Sequence, residues 1–268
     1  MHAHFLDPYR PGGSPIHSLD PRAKLLLTLA FILTAALTPV GAWPVYILLF
    51  AFILAVEILS ELGVFFVLKR AMLALPFVLA ALPVIFTFPG PALFGLAIGP
   101  WMLVASQPGM ERFISIAFKS WVSVQAGVLL ATTTSFPDLL VALRAVRIPR
   151  LLVAIFGLMW RYLFVLADEA IRLMRARLAR SGESDQPGLK PGGSLLWRAR
   201  LTGGMAGSLF LRAFERSDRI YLAMLARGYD GEVRAEPLPV VSPASRLALV
   251  LGLIILGMLL FFALALWA

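Results

Sequence analysis

The residues best placed for recognition chemistry are two arginines in matching settings. Ala176-Arg177-Leu178-Ala179-Arg180-Ser181 aligns with Ala223-Met224-Leu225-Ala226-Arg227-Gly228, and a glycine follows each arginine, Gly182 in one case and Gly228 in the other. Glycine there permits the left-handed turn that ends a helix, so both pieces read as helix C-termini. An arginine in the last turn is favoured by the carbonyl end of the helix dipole, and two ordinary helix caps would have this form. The alternative is a pair of guanidinium groups presented at helix tips, each able to fork onto a carboxylate of a partner. Two similar tips suit a partner with two similar halves, and symmetric pairs of subunits are common.

Other chemistries find little support. The chain has no cysteine, so thiolate ligands and a cysteine nucleophile are excluded. Its three histidines, His2, His4 and His17, all precede the first apolar run, and His2-Ala-His4 reads as a surface tail. Inside the apolar runs acids are nearly absent, Glu57 lying near the end of one. A borderline transition metal would require imidazole, thiolate or carboxylate ligands, and no such cluster is visible at membrane depth. No metal site and no cofactor are expected, and the nine methionines are scattered as packing residues. The carboxylates Asp138, Asp168 and Glu169 keep a membrane-embedded enzyme open as a rival, but no histidine or nucleophile-elbow spacing accompanies them. No phosphate loop of the Gly-x4-Gly-Lys-Ser/Thr form is present, so the chain is no ATPase itself. A self-sufficient channel or secondary transporter would need polar groups within its spans.

Composition names the elements that must carry the arginines. Of 268 residues 60% are hydrophobic and 15% charged, whereas soluble domains run near half apolar and a quarter charged. The excess needs lipid. Five stretches have the roughly 20 apolar residues of a span: 25–42, 43–59, 72–88, 113–132 and 247–267. Pro39-Val-Gly-Ala-Trp-Pro44 makes the first two a helical hairpin, the third carries Pro76 and Pro83, and Lys119 in the fourth should snorkel to an interface. The proline- and glycine-rich stretch 89–109 reads as an outside loop without a basic residue.

Orientation follows Lys and Arg in short loops. Arg22, Lys24, Lys69, Arg70, Arg144, Arg147 and Arg150 place the N-terminus and the later basic segment inside. Residues 151–167 form a sixth apolar run. Its crossing would carry most of the positive charge of 172–234 outside, and Arg161 near its middle would cost about 2.5–3.5 kcal/mol on insertion scales. Residues 149–180 therefore read as one long amphipathic helix at the cytoplasmic interface, with a six-span arrangement as the alternative. Of the 24 Lys and Arg, 16 lie between Asp138 and Glu236, interleaved with apolar residues, a distribution that favours a membrane-side helical face over nucleic acid. Phe136-Pro-Asp138 opens a short helix closed at Ile148-Pro149. Residues 183–193 form a polar linker, and a further helix from Leu195 runs to Arg227, interrupted at Gly203-Gly204. Phe210, Phe214 and Tyr221 form its apolar stripe, with Arg212, Arg216 and Arg219 mostly off that face.

With its paired Ala226-Arg227-Gly228 and Ala179-Arg180-Ser181, the chain resembles the transmembrane T component of energy-coupling-factor transporters. Leu19-Asp-Pro-Arg-Ala-Lys24, the neighbourhood of Trp160-Arg-Tyr162 and Asp168-Glu169, and the run from Glu215 to Gly231 agree, the neighbourhood and the run closer to the cobalt/nickel branch. The first signature departs from the family form, with Ser181 in place of glycine. The resemblance implies an all-α integral membrane protein of about five transmembrane helices plus cytoplasmic amphipathic coupling helices. Its parts are a cytoplasmic tail (1–24), transmembrane helices 1–4 (25–133), a coupling module (134–236) and a C-terminal span (245–268). It further implies a non-catalytic subunit of the bacterial inner membrane. Two ATP-binding-cassette ATPases on the cytoplasmic side would receive the two signatures, with Arg180 and Arg227 facing acidic residues. A substrate-capture membrane subunit, with a small accessory membrane subunit as an option, completes the implied set. A vitamin-type importer is the alternative cargo class.

Overall fold

The computed structural model describes residues 8–98, 101–180, 194–230 and 240–267. The chain divides into two compact units, Pro8–Ala145 with Leu238–Ala268, and Val146–Pro237.

In the first unit, α1 (Pro21–Leu37) starts where Asp20 accepts a hydrogen bond from the Arg22 amide at 2.9 Å and Pro21 takes a position that needs no donor. It ends at Thr38, and the Lys119 ammonium donates to the carbonyls of Ala36 (3.3 Å) and Thr38, satisfying groups the helix leaves orphaned. Gly41, at φ +86°, turns the chain into α2 (Trp43–Leu59). The first span is thus shorter than 25–42, because 38–42 form the turn.

The expected third span starts earlier and is segmented. Helix α3 (Val64–Ala71) continues through a 3-10 turn, Met72–Ala74, into α4 (Leu75–Ala80) and α5 (Val84–Thr87). The breaks fall at Pro76 and Pro83, which lack the amide hydrogen a continuous helix uses. The stretch 89–109 is not an open loop. Strands β1 (Ala92–Ile98) and β2 (Trp101–Ser106) pair antiparallel with Ile98 opposite Trp101, so a small hairpin adds to the helical architecture. Ser106 then caps α6 (Gln107–Thr133) by accepting from the Gly109 amide at 3.1 Å, one and a half turns ahead of the expected start.

The core of this unit joins α1, α2, α6 and α10 (Pro243–Trp267) through Phe31, Leu49, Ile53, Val122, Ala126, Leu129 and Leu256. Aromatic pairs fix α2 against α6: Tyr46 with Phe118 at 5.6 Å and Phe50 with Trp121 at 5.4 Å, each worth about 0.5–1.5 kcal/mol beyond area. Gly252 lets α10 meet α1, since a Cβ there would lie 2.5 Å from Leu27. Glu57 and Gln125 are fully buried, and their side-chain polar atoms have no hydrogen-bond partner among the described residues. Helix α7 (Phe136–Ala145) packs along α1. By its packing along α1, α7 belongs to the first unit, and Ala142 is its buried residue.

The second unit consists of α8 (Arg150–Arg180) and α9 (Leu195–Ala226). Arg147, at φ +65°, and Pro149 separate α7 from α8. Helix α9 runs unbroken through Gly203-Gly204, against the expected interruption. Each glycine costs only about 1 kcal/mol against alanine, too little to break a 32-residue helix. Among the described residues, four helical segments are long and apolar enough to cross a bilayer: Val64–Thr87, α6, α8 and α10, while the apolar α2 has 17 residues. By length and composition α8 meets that standard too, although the charge argument from sequence sets it outside the five spans.

Candidate functional site

Arg180 and Arg227 both stand at the ends of long helices. Helix α9 closes with the Gly228 amide donating to Leu225 O at 2.9 Å and the Tyr229 amide to Met224 O at 3.0 Å, a Schellman turn. Gly228 adopts φ +79° to make it, and Arg227 is the capping residue, with φ −94° and ψ 9°. Ala226, Arg227 and Gly228 are exposed, as are Ala179 and Arg180 at the end of α8. Ser181 and Gly182, on which the first cap was expected, lie outside the described residues.

The two helices run antiparallel. Near the end of α8, Arg177 Nη1 donates to Thr202 Oγ1 of α9 at 3.4 Å, and Leu173, Arg177 and Arg180 share a groove with Trp197, Leu201 and Met205. Toward the start of α8, Leu158 and Tyr162 share another with Ser217 and Ile220. The pair is pinned between these grooves. Glu169 Oε1 accepts from Arg212 Nη1 at 2.7 Å, while Oε2 lies 3.8 Å from Arg216 and 3.5 Å from Arg172. The hydrogen bond from Arg212, then the charges of Arg172, Arg212 and Arg216, outweigh desolvation and hold the Glu169 carboxyl below its usual range.

From this pin the tips point in opposite directions. Arg180 lies eleven residues beyond Glu169 on α8 and Arg227 fifteen beyond Arg212 on α9. At 1.5 Å per residue the arginines stand roughly 40 Å apart. The structure thus separates the two signatures rather than gathering them, and the pair forms a rod with a guanidinium near each end. Phe210, Phe214 and Tyr221 of α9 are exposed on the side away from α8, as their helical spacing from Arg212 and Arg216 requires.

Sequence reasoning overlooked the Glu169–Arg212 pin. The available signal was an acid on one helix and an Arg212–Arg216 pair spaced i,i+4 on the other, each otherwise a solvated face. His17 is occupied structurally, its ring nitrogens within 2.6 Å of Ser14 Oγ and 3.1 Å of Arg10 O. Among the described residues no three of His, Asp and Glu gather as a metal-ligand group. His2 and His4 lie outside them.

Comparison with known proteins bears on the same segments. The CbiQ family, described as cobalt transport protein, matches residues 12–237. A cobalt transport protein CbiQ from Rhodobacter capsulatus is 30% identical over 87% of this chain and 86% of its own length. The energy-coupling factor transporter transmembrane protein EcfT of Lactococcus lactis is 29% identical over 83% of each chain. EcfT of Bacillus subtilis is 27% identical over 98% of each. With apolar helices of spanning length and a match across most of its residues, the chain is a multi-pass membrane protein that belongs to the CbiQ family.

Proposed function

We propose that this chain is the coupling subunit of an ATP-driven energy-coupling-factor importer of a divalent transition metal, cobalt or nickel. Arg180 and Arg227 dock into two ATP-binding-cassette ATPase subunits. The observation that carries the reading is the antiparallel α8–α9 rod with an exposed arginine near each end, roughly 40 Å apart by helical rise. Such a rod reaches two separate grooves of a two-fold partner at once, and a permanently charged planar guanidinium suits an acidic groove. In this reading Ala226 and Gly228 shape the backbone beside Arg227, and Ala179 and Ser181 flank Arg180 in sequence.

The N-terminus and the rod lie on the cytoplasmic side of a bacterial inner membrane. The apolar stripe of α9 and the Arg161-interrupted run of α8 support an interfacial position for both helices. When the ATPases close, the spacing of their grooves changes. The rod follows, and the motion passes through the membrane helices to a substrate-capture membrane subunit, with or without a small accessory one. Such transmission requires contacts that differ between the two ATPase states. The chain itself is no catalyst in this scheme, and hydrolysis belongs to the partners.

The metal is cargo, and it would be held by the capture subunit. A vitamin-type cargo is the second reading, supported by the near-equal identity to EcfT and CbiQ relatives. Charge reversal tests the docking. Arg180→Glu and Arg227→Glu should each weaken ATPase co-purification, and together abolish it along with uptake. Full assembly and uptake in the double variant would overturn the assignment. Uptake of labelled cobalt, nickel and vitamins by the complex distinguishes the cargo classes.

A further inference from the structure

The run Leu19-Asp-Pro-Arg-Ala-Lys24 has no part in the docking tips, yet it makes polar links to two distant parts of the first unit. Lys24 is 7% exposed, and its Nζ donates to the carbonyls of His17 and Thr133, each at 3.0 Å. The Asp20 amide donates to Ser245 Oγ at 3.0 Å, and Ser245 is 1% exposed. Asp20 also caps α1 and lies 3.7 Å from Arg22.

These partners stand at special places in the chain. Among the described residues the chain passes from this unit to the other after α7 and returns ahead of α10. Thr133 is the last residue of α6, three residues before α7 begins. Ser245 is in the first turn of α10. Helix α7 itself packs along α1. The α6–α7 junction, one helix ahead of the departure, and the start of α10 are therefore both tied to the opening turn of one helix. The chemistry suits permanence: the final carbonyls of α6 lack partners within the helix, and a cation there also meets the negative end of its dipole. A buried ammonium left without acceptors would be costly, so Lys24 holds these carbonyls for its own solvation as well.

We propose that the first turn of α1 is the anchor against which the α8–α9 unit works, and that Lys24 is a positioning residue for energy coupling. It holds the α6–α7 junction through Thr133, with α7 packed along α1 up to the departure, while the Asp20 amide and Ser245 fix the start of α10. The inference rests on the proposed coupling role of residues 146–237. With both points anchored, displacement of α8 and α9 is delivered to α1 and the helices packed on it; with either loosened, the connecting segments absorb it.

The test uses the full chain co-expressed with its ATPase and capture subunits and reconstituted in liposomes, comparing ATP hydrolysis with cargo uptake. Lys24→Met keeps an unbranched side chain and removes the donors. Assembly and hydrolysis should stay within about twofold of the parent while uptake per ATP falls about tenfold, the order produced by losing one charged hydrogen bond. Lys24→Arg, which retains donors, should recover much of the coupling. Ser245→Ala, a milder change, should lower uptake per ATP in the same direction. Equal coupling in Lys24→Met and the parent overturns the inference, as does a loss in which hydrolysis, assembly and uptake fall in proportion. If Lys24→Met does not assemble, unchanged coupling in Ser245→Ala overturns it. A parent complex that assembles but shows no ATP-driven uptake refutes instead the underlying transport role.

Discussion

Gly228 offers the sharpest test of how Arg227 is presented. Its φ of +79° belongs to the left-handed region, and a Cβ built there meets no atom within 4 Å. Replacement by alanine is therefore sterically free of neighbours and isolates the backbone term. An L-residue in that conformation costs about 1–2 kcal/mol more than glycine. That reduces the population of the closed turn by roughly 5–30-fold. In the open form Met224 O and Leu225 O lose the amides of Tyr229 and residue 228, and the arginine no longer has a fixed direction. In the purified full chain, Gly228→Ala should reduce amide-exchange protection at Tyr229 by this factor and weaken ATPase binding similarly. Gly228→Asn, which visits the left-handed region more readily, should lie between alanine and the parent. Equal protection and affinity in all three proteins would refute the role of the turn. An asparagine variant as impaired as alanine would show that side-chain bulk, not backbone hand, governs the site.

The remaining predictions concern contacts within each unit taken separately. The depressed Glu169 carboxyl adds stability to the α8–α9 pair that is present above the ordinary carboxylate range and is lost as pH falls through the lower, folded-state value. Spin-label distances between α8 and α9 should therefore broaden on acidification, and Glu169→Gln should be loosened already at neutral pH and flat with pH; a pH-independent parent would refute the pin. In the membrane unit, a Cβ at Gly109 would fall inside contact distance of the Ile85 carbonyl oxygen and 2.9 Å from its carbon. Gly109→Ala should cost about 1–3 kcal/mol and lower the melting temperature in detergent. Gly127, with nothing within 4 Å of a built Cβ, provides the control: alanine there should be neutral or stabilising. Identical melting of both variants would refute the close α5–α6 approach.

Features decided within a turn or two of helix were legible before any coordinates. The Arg-Gly sequence at 227–228 announced a left-handed cap because few other residues adopt that hand, and Ile148-Pro149 announced the break before α8 because proline restricts its predecessor. The misreadings are equally physical. Gly203-Gly204 looks like a break on propensity, but propensity is a weak term against the continuity of a helix packed on a neighbour. Glycine and proline at 89–109 suggested a loop, whereas the apolar residues between them pair as strands.

The least legible features are those that give the rod and its anchor their geometry. Glu169 meets Arg212 across 43 residues and Lys24 meets Thr133 O across 109, and nothing local distinguishes these groups from solvated charges. Yet each contact changes what the signature arginines can do. The first sets α8 and α9 antiparallel, so that the two arginines stand at opposite ends of the pair, as the proposed two-groove docking requires. The second ties the segment leading to that body to α1. Charge reversal at one tip should therefore weaken assembly and at both tips abolish it, while loosening the anchor should leave assembly intact and waste hydrolysis. Two arginines with the same local sequence but no antiparallel pin would lack this division of labour, because neither tip could report the movement of the other.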